Sequence, residues 1–174
     1  MKRKFIVIFT VSIIGCSSNQ NKKALNTGQD KFTYDFHLAN QNGKDVIDKG
    51  ETNCDNFIEE FKNFPWLDQL SKANELGKTS PTITAQDHLN STDLWTSIEG
   101  DSSQYDYIVG YNFPKTIAGG LFKKERVTKW VTMYVTEDTE KILKCYDLFF
   151  KRDTLALTSE LKQFRFYGEV EARK

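Results

Sequence analysis

The sequence predicts an α+β fold: an antiparallel sheet of about four strands, arranged as a meander, preceded and followed by helices. Three observations predict it. Apolar residues recur at helical spacing between positions 55 and 76, four segments between Thr82 and Thr136 are rich in β-branched and aromatic residues, and helical spacing returns after Glu137. The four β-rich segments are joined by short polar connections with no helix inside them, which favours antiparallel neighbours over parallel βαβ units.

Taken in order, Phe32, Tyr34, Phe36 and Leu38 alternate with Thr33, Asp35 and His37, the period of a half-buried strand. Asn42-Gly43 supplies a turn. The following stretch, Lys44 to Gly50, has only Val46 and Ile47 to bury, so this region is expected to be an edge strand or an arm that docks late. Asn53 or Asp55 can cap a helix whose stripe is Phe57, Ile58, Phe61 and Phe64. Pro65 ends that helix and suits the first turn of another, carrying Trp66, Leu67, Leu70, Ala73 and Leu76 before Gly77 stops it. Two short helices with a bend at Phe64-Pro65 are expected over Asp55–Leu76.

The predicted strands are Thr82–Gln86, Leu94–Glu99, Tyr105–Phe113 and Val127–Thr136, with Pro114–Arg126 as the long connection. Glu137, Asp138 and Glu140 then stand where a helix start favours negative charge, ahead of Ile142, Leu143, Tyr146, Phe149 and Phe150. Asp153 can cap a last helix with Leu157, Leu161 and Phe164 on one face, and the charged residues from Gly168 onward are expected to fray.

The amino terminus is organised differently. Lys2-Arg3-Lys4 precedes the apolar run Phe5 to Ile14, and Gly15-Cys16-Ser17-Ser18 follows. A run of about ten residues is too short for a helix across a ~30 Å hydrocarbon core, which takes about 20 apolar residues. Ile13-Ile14-Gly15-Cys16 resembles the lipobox of bacterial lipoproteins, and the whole of residues 1–16 is similar to their signal peptides. The resemblance implies that residues 1–15 are removed and that Cys16 is lipidated. The protein would then be held by acyl chains on a membrane of the cell envelope, facing the periplasm or the cell surface. Residues 17–31 are mostly Ser, Asn, Gln, Lys, Thr, Gly and Asp, a composition that cannot offset the entropy of ordering, so residues 16–31 read as a lipidated cysteine and tether. Residues 32–174 read as one globular domain.

The full chain balances 24 basic against 24 acidic side chains; without the three basic residues of the signal the balance is about −3. That argues against a nucleic-acid partner. Cys54 and Cys145 remain once Cys16 carries lipid, and are either a disulfide, which the envelope permits, or two small buried thiols. No spacing of Cys with His37 or His88 resembles a structural zinc motif, and no cofactor or metal is expected.

No nucleophile elbow, metalloprotease helix or phosphate loop is present. Asp87-His88 with Ser102 or Ser103 is the nearest approach to a hydrolase triad, and Glu59-Glu60 or Glu99-Asp101 to a glycosidase pair; turn and solvated-helix roles account for them more simply. Two other features carry more weight. The stretch from Thr79 to Pro114 has no Lys or Arg, whereas Pro114–Trp130 holds Lys115, Lys123, Lys124, Arg126 and Lys129, a basic loop with Ala118-Gly119-Gly120-Leu121-Phe122 at its tip. In Val127–Thr136, Trp130 and Tyr134 fall on one face and Val131, Met133 and Val135 on the other; with helices on the aliphatic face, Trp130 and Tyr134 line an open face together with some of Trp95 and the tyrosines of Tyr105–Phe113, whereas helices on both faces make the rings core, and a one-residue slip exchanges the two faces. The expectation is a non-enzymatic lipoprotein that binds another protein near the membrane, as an inhibitor, an immunity-type protector or an assembly accessory, with Lys123, Lys124, Arg126, Trp130 and Tyr134 as candidate contacts. Glycan or small-ligand binding on an aromatic sheet face is the first alternative, an envelope hydrolase the second.

Overall fold

The computed structural model describes residues 31–39, 46–77, 79–119 and 125–172. Eleven elements follow in order: β1 (Phe32–His37), β2 (Val46–Thr52), α1 (Cys54–Asn63), α2 (Trp66–Leu76), β3 (Thr82–Asp87), β4 (Thr92–Gly100), β5 (Tyr105–Ile117), β6 (Arg126–Thr136), α3 (Thr139–Phe150), α4 (Thr154–Leu161) and β7 (Arg165–Glu171). The strands form one sheet in the order β2-β1-β3-β4-β5-β6-β7, and every neighbouring pair is antiparallel.

The α+β class holds, and the expected meander is present as β3 to β6. The sheet, however, has seven strands, and the helices are interspersed: α1 and α2 lie between β2 and β3, α3 and α4 between β6 and β7. The strands that the pattern missed or left open are the two edges. β2 is exposed over most of its length, and in β7 Phe166, Tyr167 and Val170 are each about half exposed. With no face buried on either edge, alternation has nothing to record. β1 is interior, paired with β2 on one side and β3 on the other. The last helix stops at Leu161, and Phe164 belongs to the turn into β7.

Helix starts follow the caps. Asn53, Asp138 and Asp153 accept from the backbone N–H groups of Asn56, Lys141 and Ala156 at 2.9–3.1 Å. α2 ends on Gly77 at φ 59°, a left-handed turn that glycine takes without Cβ strain.

All four helices pack on one face of the sheet. Phe57 and Phe61 of α1 meet Tyr146 of α3 with ring centroids 4.5 and 5.5 Å apart, and Trp66 at the head of α2 sits edge-on against Tyr107 of β5. Beneath them lie Ile83, Ala85, Leu94, Thr96, Ile98 and Val109, all at 0 % exposure. The Tyr146 hydroxyl, buried with them, is 2.9 Å from the Thr96 hydroxyl, so these two polar groups satisfy each other. No helix among the described residues is long and apolar enough to cross a membrane.

Candidate functional site

Because strand side chains alternate, fixing Leu94, Thr96 and Ile98 beneath the helices turns Asp93, Trp95, Ser97 and Glu99 to the other face. No described element packs there. The strand register brings Asp93 opposite Asn112, Trp95 opposite Gly110, and Asn112 opposite Val131. Trp95 lies directly on Gly110: a Cβ at that position would fall 2.1 Å from the indole Cε2 and Cζ2. Only a residue without a side chain lets the ring lie flat on the strand. The indole Nε1–H donates to Asn112 Oδ1 at 3.2 Å, Asn112 Nδ2 donates to Asp93 Oδ2 at 3.1 Å, and the Lys129 ammonium pairs with the same oxygen.

Towards the β1 edge the polar surface continues. Gln86 Nε2 donates to Asp35 Oδ2 at 2.7 Å, the Thr33 hydroxyl donates to Gln86 Oε1 at 3.2 Å, and it lies 2.8 Å from His88 Nε2. Burial pushes the Asp35 carboxyl above its ordinary value, and the charges of Asp93 and Asp48 add to the rise, while hydrogen bonds from Thr84 and Gln86 oppose it. This half of the face is therefore acidic and ordered. Towards β7 the face turns apolar, with Met133 half-buried and Val127 and Val170 exposed. At the end nearest the β3–β4 turn a notch of about 980 Å³ opens between that turn and the β5–β6 hairpin, lined by His88, Asp93, Arg126, Lys129, Val170 and Glu171 among others.

The residues singled out from sequence fare unequally. Cys16, Lys123 and Lys124 lie outside the described residues, as does the Asn42-Gly43 turn. Arg126 is exposed but engaged, its guanidinium bidentate to Glu171 at 2.7 and 2.8 Å. Lys115 pairs with Glu169 at 3.1 Å, and with Lys129 on Asp93 every basic residue in the described part of the hairpin meets a carboxylate of its own domain. The segregation of charge along the sequence is thus largely cancelled by strand pairing. Trp130 is half-buried on the helix side of β6, with the Lys115 ammonium 3.9 Å above its ring. Tyr134 is buried on that same side, 6.0 Å from the Phe166 ring. The aromatic face of β6 is the one the helices cover, because the rings of α1 to α3 already match Tyr107, Tyr111 and Tyr134; on the other face no helix packs, yet Val131 and Val135 are buried, Met133 is half-buried and Val127 is exposed.

Cys54 and Cys145 are free thiols. Burial pushes Cys145 up to about 12, with the Glu160 charge adding to it, and burial also raises Cys54. The triad residues do not converge. Asp87 is 2 % exposed and points to the helix side, where Arg152 Nε and Nη2 bond it at 2.9 and 3.0 Å, whereas His88 turns to Thr33 on the open side. Ser103 sits beyond the opposite end of β4, bonded to Asp101. Glu60 pairs with Lys49 on the surface of α1. Among the described residues no group of three His, Cys, Asp or Glu side chains is placed to hold a metal ion.

The seat of Trp95 on Gly110 was missed by sequence reasoning, yet it had a signal: a lone Gly110 inside a run of β-branched and aromatic residues marks a close approach. No protein-family model matches the chain, and neither a curated protein nor a solved structure matches it.

Proposed function

We propose that this is a lipid-anchored envelope protein that works by binding, and that its partner is another protein received on the uncovered face of the sheet. One observation carries the reading: the four helices all pack on one side, while the other side presents a fixed indole held between an acidic polar network and an exposed aliphatic border. An aromatic anchor with a polar hydrogen-bonded surround is the composition of a protein interface, and its side chains are ordered before the partner arrives. Asp35 and Asp48 suit a partner surface that brings a basic group beside an apolar one. The contact set shifts accordingly from Trp130 and Tyr134, which face the helices, to Trp95, Asn112, Lys129 and Met133. The anchor rests on the Ile13-to-Cys16 lipobox resemblance and is tested by Cys16→Ser, which is expected to move the protein from the membrane fraction to the supernatant.

The binding reading is tested by in-cell photocrosslinking from a probe placed at Met133, with Trp95→Ala as the variant and Leu67→Glu on the exposed side of α2 as the control. Crosslinks that disappear with Trp95→Ala and survive Leu67→Glu support the open face. Crosslinks indifferent to Trp95 remove it from the account.

A second reading is favoured by the flat seating of Trp95 itself, since an indole plate beside amide and carboxylate groups also suits a sugar ring. It predicts a saturable change in Trp95 emission on titrating envelope saccharides, and an unchanged spectrum at millimolar saccharide rejects it.

A further inference from the structure

Strand register carries one line of residues across the open face, through all seven strands. Asp48 opposes Asp35, Asp35 opposes Thr84 and Thr84 opposes Trp95; Trp95 then opposes Gly110, Gly110 opposes Met133 and Met133 opposes Gly168. At the β1–β2 end of this row stand two carboxylates, and neither Asp35 nor Asp48 pairs with a Lys or Arg among the described residues. Asp48 is held in place by the Gly50 N–H at 2.8 Å, and its charge adds to the rise in the Asp35 carboxyl, so a cation set against the two relieves their repulsion. Towards β7 the row alternates large side chains with glycine. Trp95 lies flat on Gly110, and a Cβ at Gly168 would stand 3.7 Å from the Met133 methyl, so Met133 leans over Gly168. The flanking rows carry a side chain at every facing position, Asp93, Asn112 and Val131 on one side and Ser97, Ile108 and Val135 on the other. The row is thus a shallow trough floored by an indole and a thioether. An ion pair spanning an intervening strand bars each side of it: Lys129 of β6 reaches Asp93 of β4 across β5, and Arg165 of β7 reaches Asp106 of β5 across β6 at 3.0 Å.

We infer that the partner element received on this face is a single amphipathic helix lying across the strands along this row, with a Lys or Arg over Asp35 and Asp48 and apolar side chains on Trp95 and Met133. The inference rests on the protein-binding reading above and adds the chemistry and direction of the partner. Periodicity selects a helix. Neighbouring strands lie about 4.8 Å apart, so Asp35, Trp95 and Met133, on alternate strands of the sheet, recur every ~10 Å. Helix positions i, i+7 and i+14 share a face and recur every ~10.5 Å, whereas same-side residues of an extended chain recur every ~7 Å and fall out of step. Direction follows from the two barring ion pairs, which an element running along the strands would have to cross and strip of water. Polarity follows from charge, since the unpaired carboxylates of the row stand only at its β1–β2 end. The open face of a second copy of this chain would set carboxylates against carboxylates there.

The test uses the full chain in its own cells, carrying a benzophenone amino acid at Thr84, Met133 or Glu99, one at a time. Crosslinked peptides are read by mass spectrometry. Thr84 and Met133 are three strand spacings apart, ~14 Å, while Glu99 lies four residues along β4 from Trp95, ~13 Å off the row. Thr84 and Met133 are expected to mark one partner segment at residues about nine apart, as a helix requires, with a Lys or Arg beyond the residue marked from Thr84 and no mark from Glu99. Asp48→Lys, at an exposed position, is expected to lower both crosslinks severalfold, and changing that Lys or Arg of the partner to Glu is expected to restore them. Marks about four residues apart show an extended chain and overturn the helix, and marks from Glu99 on the same segment overturn its direction. Crosslinks indifferent to Asp48→Lys, or made to a second copy of this chain, overturn the basic partner. Loss of crosslinks from every position, Met133 included, overturns instead the protein-binding reading itself.

Discussion

Gly110→Ala is the sharpest probe of the open face. The new methyl would stand 2.1 Å from two indole carbons of Trp95, where carbon atoms are comfortable at about 3.5–4.0 Å, so the ring must move by about 1.5 Å. A rigid indole cannot absorb that by bending, and its shift also breaks the 3.2 Å bond from Nε1 to Asn112. Overpacking of this kind costs about 1–3 kcal/mol and the hydrogen bond about 1 kcal/mol, against a gain of about 0.4–1 kcal/mol from the stiffer unfolded chain. A net loss of about 2 kcal/mol is expected, which for a domain of this size lowers Tm by about 4–8 °C. The decisive measurement is a double-mutant cycle in urea. In a Trp95→Ala background the clash is gone, so Gly110→Ala becomes neutral or stabilising, and the coupling energy is about 2–3 kcal/mol. A Gly110→Ala that is equally costly with and without Trp95 would refute the seating of the indole and the preorganised surface built on it.

Other consequences follow from buried pairs. Burial opposes ionisation of Asp87, but the Arg152 guanidinium, with Asn90 and the Leu89 N–H, outweighs it and holds the carboxyl below its ordinary value. A depressed folded-state value means that its stabilisation is present at neutral pH and is lost as pH falls below about 4 towards that value, so the stability gap between wild type and Asp87→Asn, about 3 kcal/mol at pH 7, should close in acid. A gap independent of pH down to 2 counts against the pair. Tyr146→Phe is expected to cost about 1–2 kcal/mol by leaving the Thr96 hydroxyl buried without its partner, and Tyr146→Phe with Thr96→Val to cost less than the two single changes summed. Two free thiols should titrate in urea without reductant. In the native protein at pH 8 Cys145 should stay unreactive while Cys54 reacts slowly, and a titre of zero in urea would show a disulfide instead.

Legibility from sequence tracked burial. Phe57, Phe61, Ile142, Tyr146, Leu157 and Leu161 carried helical spacing because one side of each helix is sealed against the sheet. The caps Asn53, Asp138 and Asp153, the break at Pro65 and the stop at Gly77 were local chemistry, readable without any partner. β7 escaped, and β2 was left between an edge strand and an arm, because an edge strand is held by backbone bonds to one neighbour, and those bonds do not depend on side-chain identity.

The sequence by itself determined the α+β class, the four central strands, the helix starts and the lipobox resemblance at Cys16, since each depends on neighbours a few residues apart. Tertiary structure alone decided which face of the sheet is open. Alternation along β6 separates Trp130 and Tyr134 from Val131 and Met133, but only the aromatic inner surfaces of α1 to α3 choose between the two sets. Only tertiary structure, likewise, turned a basic hairpin into paired charges, because Asp93, Glu169 and Glu171 reach Lys129, Lys115 and Arg126 across strands more than 35 residues apart in the chain. The seat of Trp95 on Gly110 is of the same kind: the two are opposed by β4–β5 register, a quantity fixed by the whole sheet rather than by either strand.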